Sequence, residues 1–192
     1  MPTAAECQTP CARIGDAVRL LLQGRPGSGK TTVVERLVEV LRADGVAVAG
    51  FLTRELREGG RRVGFEVESL EGAHAVLAHV ELAGPPRVGR YGVDLEALER
   101  VALPAIEAGR RSEVAVIDEL GKMELASTAF RDAVTRLLES PVAVVATVLA
   151  RRHPFTDAVK RRRDVEVVKV TAGNRDSLPA ELARRLGAGR TL

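Results

Sequence analysis

Residues 24–32 read Gly24-Arg25-Pro26-Gly27-Ser28-Gly29-Lys30-Thr31-Thr32, and the first eight fill G-x-x-x-x-G-K-[ST], the pattern of a phosphate-binding (Walker A) loop. The apolar run Val18-Arg19-Leu20-Leu21-Leu22 precedes it, and a helical spacing of Val33, Val34, Leu37, Val38 and Leu41 follows. That is the strand-loop-helix context in which such a loop works. Gly24, Gly27 and Gly29 permit turns that side chains forbid, so successive N–H groups can converge on one polyphosphate. The helix start adds the positive end of its dipole. Lys30 can reach the β- and γ-phosphates, and the Thr31 hydroxyl is placed to coordinate Mg²⁺.

Working outward, the first helix should run from Gly29 or Lys30 to about Ala43, where Asp44-Gly45 stops it. Residues 46–53 read as a strand, Arg57-Glu58-Gly59-Gly60 as a turn, and 61–70 as the hairpin partner, in which Val63, Phe65 and Val67 alternate with polar or small residues. Residues 71–93, broken by Gly72, Gly84, Pro85, Pro86, Gly89 and Gly92, read as short strands and loops. Asp94 can cap a helix with Leu95, Leu98, Val101, Ala102, Ala105 and Ile106 on one face, kinked at Pro104 and ending near Gly109. Val114-Ala115-Val116-Ile117 is a continuous apolar strand. A helix opening at Ser127 or Thr128, strands at 142–149 and 165–170, and a last helix from Ser177-Leu178-Pro179 to Gly187 complete the series. The alternation predicts an α/β fold, a three-layer core around a mainly parallel sheet with an inserted antiparallel β-hairpin.

The strand at Val114 runs straight into Asp118-Glu119, the Walker B pattern. Ligands of open α/β sheets gather at the carboxyl ends of strands. Asp118 can therefore share Mg²⁺ with Thr31, and Glu119 can orient and polarise an attacking water. Lys122, in Gly121-Lys122-Met123-Glu124, is close enough in sequence to face the phosphates, whereas Met123 reads as packing. Two basic groups, Arg151-Arg152-His153 and Lys160-Arg161-Arg162-Arg163, flank a short helical segment that could close over phosphates or supply an arginine to them. Arg57, Arg61 and Arg62 at the hairpin turn have the same two readings, over the nucleotide or in solvent. His74, His79 and His153 lack metal-ligand spacing.

The chain has 192 residues, 45% hydrophobic and 29% charged, with a net charge of +3. That fits one domain over residues 18–192 behind an N-terminal tail, residues 1–17. The mild basic excess suits an anionic substrate. Five aromatic residues offer little for stacking nucleic-acid bases, so nucleic acid is not the expected partner. Cys7 and Cys11 are too few for a closed zinc site. No apolar run approaches a membrane span and no secretory signal pattern is visible, so a cytoplasmic protein is expected. A monomer is expected, with an oligomer left open.

These segments resemble one family, the small P-loop nucleoside-triphosphatases of the cancer-related and thermophile type. The resemblance covers the loop at 24–32, Gly50-Phe51-Leu52-Thr53, Gly59-Gly60-Arg61-Arg62-Val63-Gly64-Phe65-Glu66-Val67, Val88-Gly89-Arg90-Tyr91, Ile117-Asp118-Glu119-Leu120-Gly121-Lys122-Met123-Glu124-Leu125 and Asn174-Arg175-Asp176. It implies a RecA-like or kinase-like P-loop NTPase core and Mg²⁺-dependent hydrolysis of ATP, GTP, CTP or UTP with broad base preference and low turnover. It also implies nucleotide binding by Gly24, Arg25, Pro26, Gly27, Ser28, Gly29, Lys30, Thr31 and Thr32. A second contacting stretch would be Val114, Ala115, Val116, Ile117, Asp118, Glu119, Leu120 and Gly121. The metal would lie on Thr31 and Asp118, with Lys30, Glu119 and Lys122 catalytic. The sequence departs from the family at Arg54, where an acidic residue is usual beside Glu55, and in the tail.

Two other uses of the same core stay open on sequence alone. The γ-phosphate could pass to a nucleotide or small-molecule acceptor, making a kinase. Alternatively, hydrolysis could reset a nucleotide-dependent switch or a nucleic-acid-binding module.

Overall fold

The computed structural model describes residues 17–187, so Cys7 and Cys11 lie outside the described residues. Among the described residues nine strands form one sheet: β1 (Arg19–Gly24), β2 (Val48–Glu58), β3 (Arg61–Ser69), β4 (His74–His79), β5 (Arg87–Val88), β6 (Tyr91–Val93), β7 (Val114–Leu120), β8 (Ala143–Leu149) and β9 (Glu166–Lys169), in the spatial order β5-β6-β4-β3-β2-β7-β8-β1-β9. From β2 to β9 the pairing is parallel, and from β2 outward to β5 it is antiparallel. The helices are α1 (Lys30–Ala43), α2 (Leu95–Gly109), α3 (Thr128–Leu138), α4 (Pro154–Lys160) and α5 (Leu178–Gly187).

Side-chain alternation along the central strands creates the three layers. Leu20, Leu22, Val114 and Val116 pack to one side with Val34 and Leu37 of α1 and Leu182 of α5. Leu21, Ala115 and Ile117 pack to the other with Leu98 of α2 and Phe130 of α3. Burial on both faces is why these strands read as unbroken apolar runs. The expected caps form: Asp94 accepts from Ala97 N–H, and the Ser127 hydroxyl accepts from Phe130 N–H. Helix α2 continues through Pro104 without a break.

The antiparallel half reaches further than one hairpin. Strand β2 continues through Arg54–Glu58, beyond the expected end at Thr53 and into the expected turn, and the turn itself is only Gly59-Gly60, both at positive φ. The charged outer half of β2 stays in the ladder because its side chains find partners across and beside it: Arg54 bridges Glu68 of β3 and Glu35 of α1, and Glu55 is held by Arg57 and Arg62. Arg54, the departure from the family pattern, is thus an inter-element clamp. Strands β4, β6 and β5 then extend the sheet edge.

Candidate active site

The loop between β1 and α1 turns on two of its three glycines, whereas Gly24 ends β1 without a positive φ and instead leaves room for Ser28 Oγ and Val170 C=O, which a Cβ there would meet. Gly27 and Gly29 sit at φ 75° and 93°, Ser28 N–H donates to Arg25 C=O, and Val33 N–H donates to Gly29 C=O as α1 begins. The Ser28 hydroxyl is buried and has no hydrogen-bond partner among the described residues. Lys30 is buried, with Nζ 3.6 Å from Glu119 Oε2.

Register brings the acids to the loop. Strand β8 lies between β1 and β7, so their carboxyl ends open side by side. Asp118 is 1% exposed; its Oδ1 accepts from the Thr147 hydroxyl of β8, while its Oδ2 is buried without a hydrogen-bond partner among the described residues. Burial pushes the Asp118 carboxyl up, and the Thr147 and Thr31 hydroxyls and the Lys30 charge draw it back. Burial also raises Glu119, opposed by Lys30 and reinforced by Asp118.

A third acid joins them. Glu124, in a 3₁₀ turn at Glu124–Ala126, is 3% exposed and pushed up to about 8 by burial and by the neighbouring charges of Glu119 and Asp118. Gly121 makes room for this crowding: a Cβ there would lie 2.6 Å from Glu124 Oε2 and 3.0 Å from Glu119 Oε1.

These groups line one cleft of about 380 Å³. The loop contributes Pro26, Gly27, Lys30 and Thr31; the end of β7 and the turn beyond it contribute Asp118, Glu119, Gly121, Lys122, Met123 and Glu124. Its far wall comes from the antiparallel half, with Thr53, Glu55, Arg62, Phe65 and Val88. Arg62 donates to the Tyr91 hydroxyl at 3.1 Å and lies over the Phe65 ring. Of the basic segment after β8, Arg151 reaches the cleft, whereas Arg152 pairs with Asp157 and Arg162 with Asp164. His153 caps α4 by accepting from Phe155 N–H.

Several of the residues named from the sequence do not line the cleft. Val114, Ala115, Val116 and Ile117 are at most 2% exposed and consumed by core packing on alternate faces, and Leu120 is likewise buried. Only the carboxyl end of β7 reaches the cleft. Thr32 turns to a separate surface cleft beside Glu35 and Arg54. Gly24, Arg25, Ser28 and Gly29 shape the loop without lining the cavity. Sequence reasoning assigned no role to Thr147 or Glu124. The one available signal for Thr147 was a hydroxyl within an otherwise apolar strand.

A glycine-lined loop at the end of β1, joined by a lysine and by acids from β7, the parallel strand two positions away, defines a P-loop nucleotide-binding protein. A family model described as NTPase matches residues 19–183. The chain is similar to the nucleoside-triphosphatase THEP1 of Thermofilum pendens, 45% identical over 176 residues, which span 90% of this chain and 97% of the relative. It is also similar to the cancer-related nucleoside-triphosphatase of Homo sapiens, 38% identical over 188 residues, 91% of this chain and 99% of the relative. The crystal structure of THEP1 from Aquifex aeolicus superposes with a TM-score of 0.79 at 32% identity, covering 88% of this chain and 99% of that one. The chain belongs to the nucleoside-triphosphatase family, and so to the hydrolases.

Proposed function

We propose that the protein hydrolyses nucleoside triphosphates to diphosphate and phosphate, with Mg²⁺, broad base preference and low turnover. The observation that carries this is the meeting of Lys30, Thr31, Asp118 and Glu119 in one cleft, with Asp118 Oδ2 buried and unpartnered beside the P-loop. A buried carboxylate oxygen left over is costly unless a cation or donor completes it. Among the described residues no cluster of three or more His, Cys, Asp or Glu could hold a metal. Mg²⁺ in P-loop enzymes needs no such cage, since one carboxylate, one hydroxyl, water and phosphate oxygens satisfy it. Asp118 and Thr31 fit that role. When bound, Mg²⁺ supplies charge neutralisation at the β- and γ-phosphates.

The chain's own residues account for the rest. The loop amides and Lys30 hold the phosphates and offset charge developing on the leaving oxygen. Glu119 takes a proton from water as the water oxygen bonds to the γ-phosphorus and the bond to the bridging oxygen breaks. Lys122 and Arg151 add positive charge at the cleft wall. Contacts dominated by phosphates support broad base preference. The test is steady-state phosphate release from ATP, GTP, CTP and UTP, with Lys30→Ala and Glu119→Gln compared with the parent. Comparable rates on the four, lost in both variants, support the reading; retention in Glu119→Gln removes Glu119 from it.

One observation favours a second reading, phosphoryl transfer to an acceptor: the cleft continues past the acids to Thr53, Phe65, Val88 and Met123. Label from the γ-phosphate accumulating on an added nucleoside monophosphate faster than as free phosphate would make hydrolysis the side reaction.

A further inference from the structure

We infer that the segment 171–177 seats the nucleoside of the bound triphosphate, with the Arg175 guanidinium lying on the face of the base. This rests on the nucleoside-triphosphatase reading and adds to it a seat for the nucleoside.

The first support is position. Strand β9 pairs with β1, and the chain leaving it stays against the phosphate loop: Val170 N–H donates to Gln23 C=O at 2.8 Å, and Val170 O would lie 3.1 Å from a Cβ on Gly24. Further on, Arg175 Cδ lies 3.2 Å from the point a Cβ on Gly29 would occupy, so the arginine stem crosses the loop where α1 starts.

The second is rigidity. Asn174 Oδ1 accepts from Thr171 N–H at 2.8 Å and from the Thr171 hydroxyl, while its amide donates to Lys169 C=O at 2.8 Å. The turn that carries Arg175 is thereby fixed by its own side chain, which lowers the ordering cost of binding.

The third is what Arg175 lacks. Its neighbour Asp176 pairs with Arg36 at 3.2 Å, yet the exposed Arg175 makes no side-chain hydrogen bond or ion pair among the described residues, its backbone N–H alone donating to Thr171 C=O. An arginine whose stem lies against a phosphate loop and whose guanidinium is unpaired keeps a free planar face.

Direction selects the ligand part. Lys30, Asp118 and Glu119 mark the γ end on the β7 side of β1, and the hairpin wall lies beyond it. The chain of phosphates therefore leads back across β1 towards β9, where Arg175 waits. Stacking on a base face reads no base edge, so any of the four bases is accepted.

The test uses the full chain and its Arg175→Ala and Arg175→Lys variants. Dissociation constants are measured by calorimetry, with magnesium, for the β,γ-imido analogues of ATP, GTP, CTP and UTP and for inorganic tripolyphosphate. The expected result is about 10-fold weaker binding of all four analogues in both variants, as loss of one stacking contact gives, with tripolyphosphate unchanged. Equal loss for tripolyphosphate would make Arg175 a phosphate contact, full recovery by lysine would make it a charge alone, and no change would leave it in solvent; each overturns the assignment. Failure of the parent to bind the analogues would instead overturn the nucleotide site itself.

Discussion

Lys30 and Glu119 are each other's counter-ion, Nζ to Oε2 at 3.6 Å, although one arises in the phosphate loop and the other at the end of a strand two positions away in the sheet. This pair satisfies a buried cation and a carboxyl that burial would otherwise drive towards its neutral form. On the proposed reading, an arriving triphosphate would compete with Glu119 for Lys30, and the released carboxylate would then be free to engage water. Glu119→Gln is therefore expected to retain nucleotide binding while losing turnover by at least ~10²-fold, the scale of one lost general base. Lys30→Ala should lose affinity as well as rate. Calorimetric binding beside phosphate release separates the two.

Glu124 carries a pH dependence whose sign is fixed. Burial pushes its carboxyl up to about 8 from the usual 4.5, so between those values the folded protein holds a proton that the unfolded chain releases. Stability from this group is intact below about pH 4.5 and falls as pH rises towards 8. Keeping the group buried at pH 7 costs on the order of 3 kcal/mol. Glu124→Gln should remove that slope: in urea unfolding at pH 5, 7 and 8.5, the variant should gain on the parent as pH rises. Parallel stability curves would show that Glu124 does not hold the proton.

Much of this site could be read from the chain before folding. Gly24 to Thr31 and Asp118-Glu119 declare themselves because local spacing alone sets their geometry: a turn into a helix, and the end of an apolar strand. Thr147 and Glu124 do not, because their positions depend on tertiary register. Thr147 meets Asp118 only through the β7–β8 pairing, and Glu124 returns to Glu119 only because the chain coils back over Gly121. The same distinction explains the fold. The buried parallel strands and their helices carry clear periodicities, while Arg54–Glu58 hold four charged residues around a single Leu56 and are held in the ladder with help from cross-strand ion pairs. Strands β5 and β6, two and three residues long, carry too little pattern to be recognised.

Thr147 holds the carboxylate that is proposed to bind the metal. Its hydroxyl donates to Asp118 Oδ1, which favours the ionised acid. Thr147→Val keeps the shape and removes the donor. Asp118 should then ionise only at higher pH, so the acid limb of the pH–rate profile should move up and half-saturating Mg²⁺ should rise. The unpaired oxygen should also cost about 1–3 kcal/mol of stability without metal, recovered in part when Mg²⁺ and nucleotide are present. An unchanged magnesium titration would detach Thr147 from the metal.

The basic segment after β8 offers an internal control for charge at the γ end. Arg151 lines the cleft and has no ion pair among the described residues, whereas Arg152, next in sequence, is tied to Asp157 at 3.5 Å on an exposed surface. If charge at the cleft wall stabilises the transferring phosphoryl group, Arg151→Ala should lower kcat by 10-fold or more with little change in KM, because a contact made mainly in the transition state leaves ground-state binding intact. Arg152→Ala should leave both constants close to the parent values, since an exposed ion pair contributes at most about 1 kcal/mol to stability and nothing to the cleft. Added guanidinium should restore part of the rate in Arg151→Ala and none in Arg152→Ala. Equal effects of the two substitutions would mean that the segment acts through its general positive field, and the selective role of Arg151 would be lost.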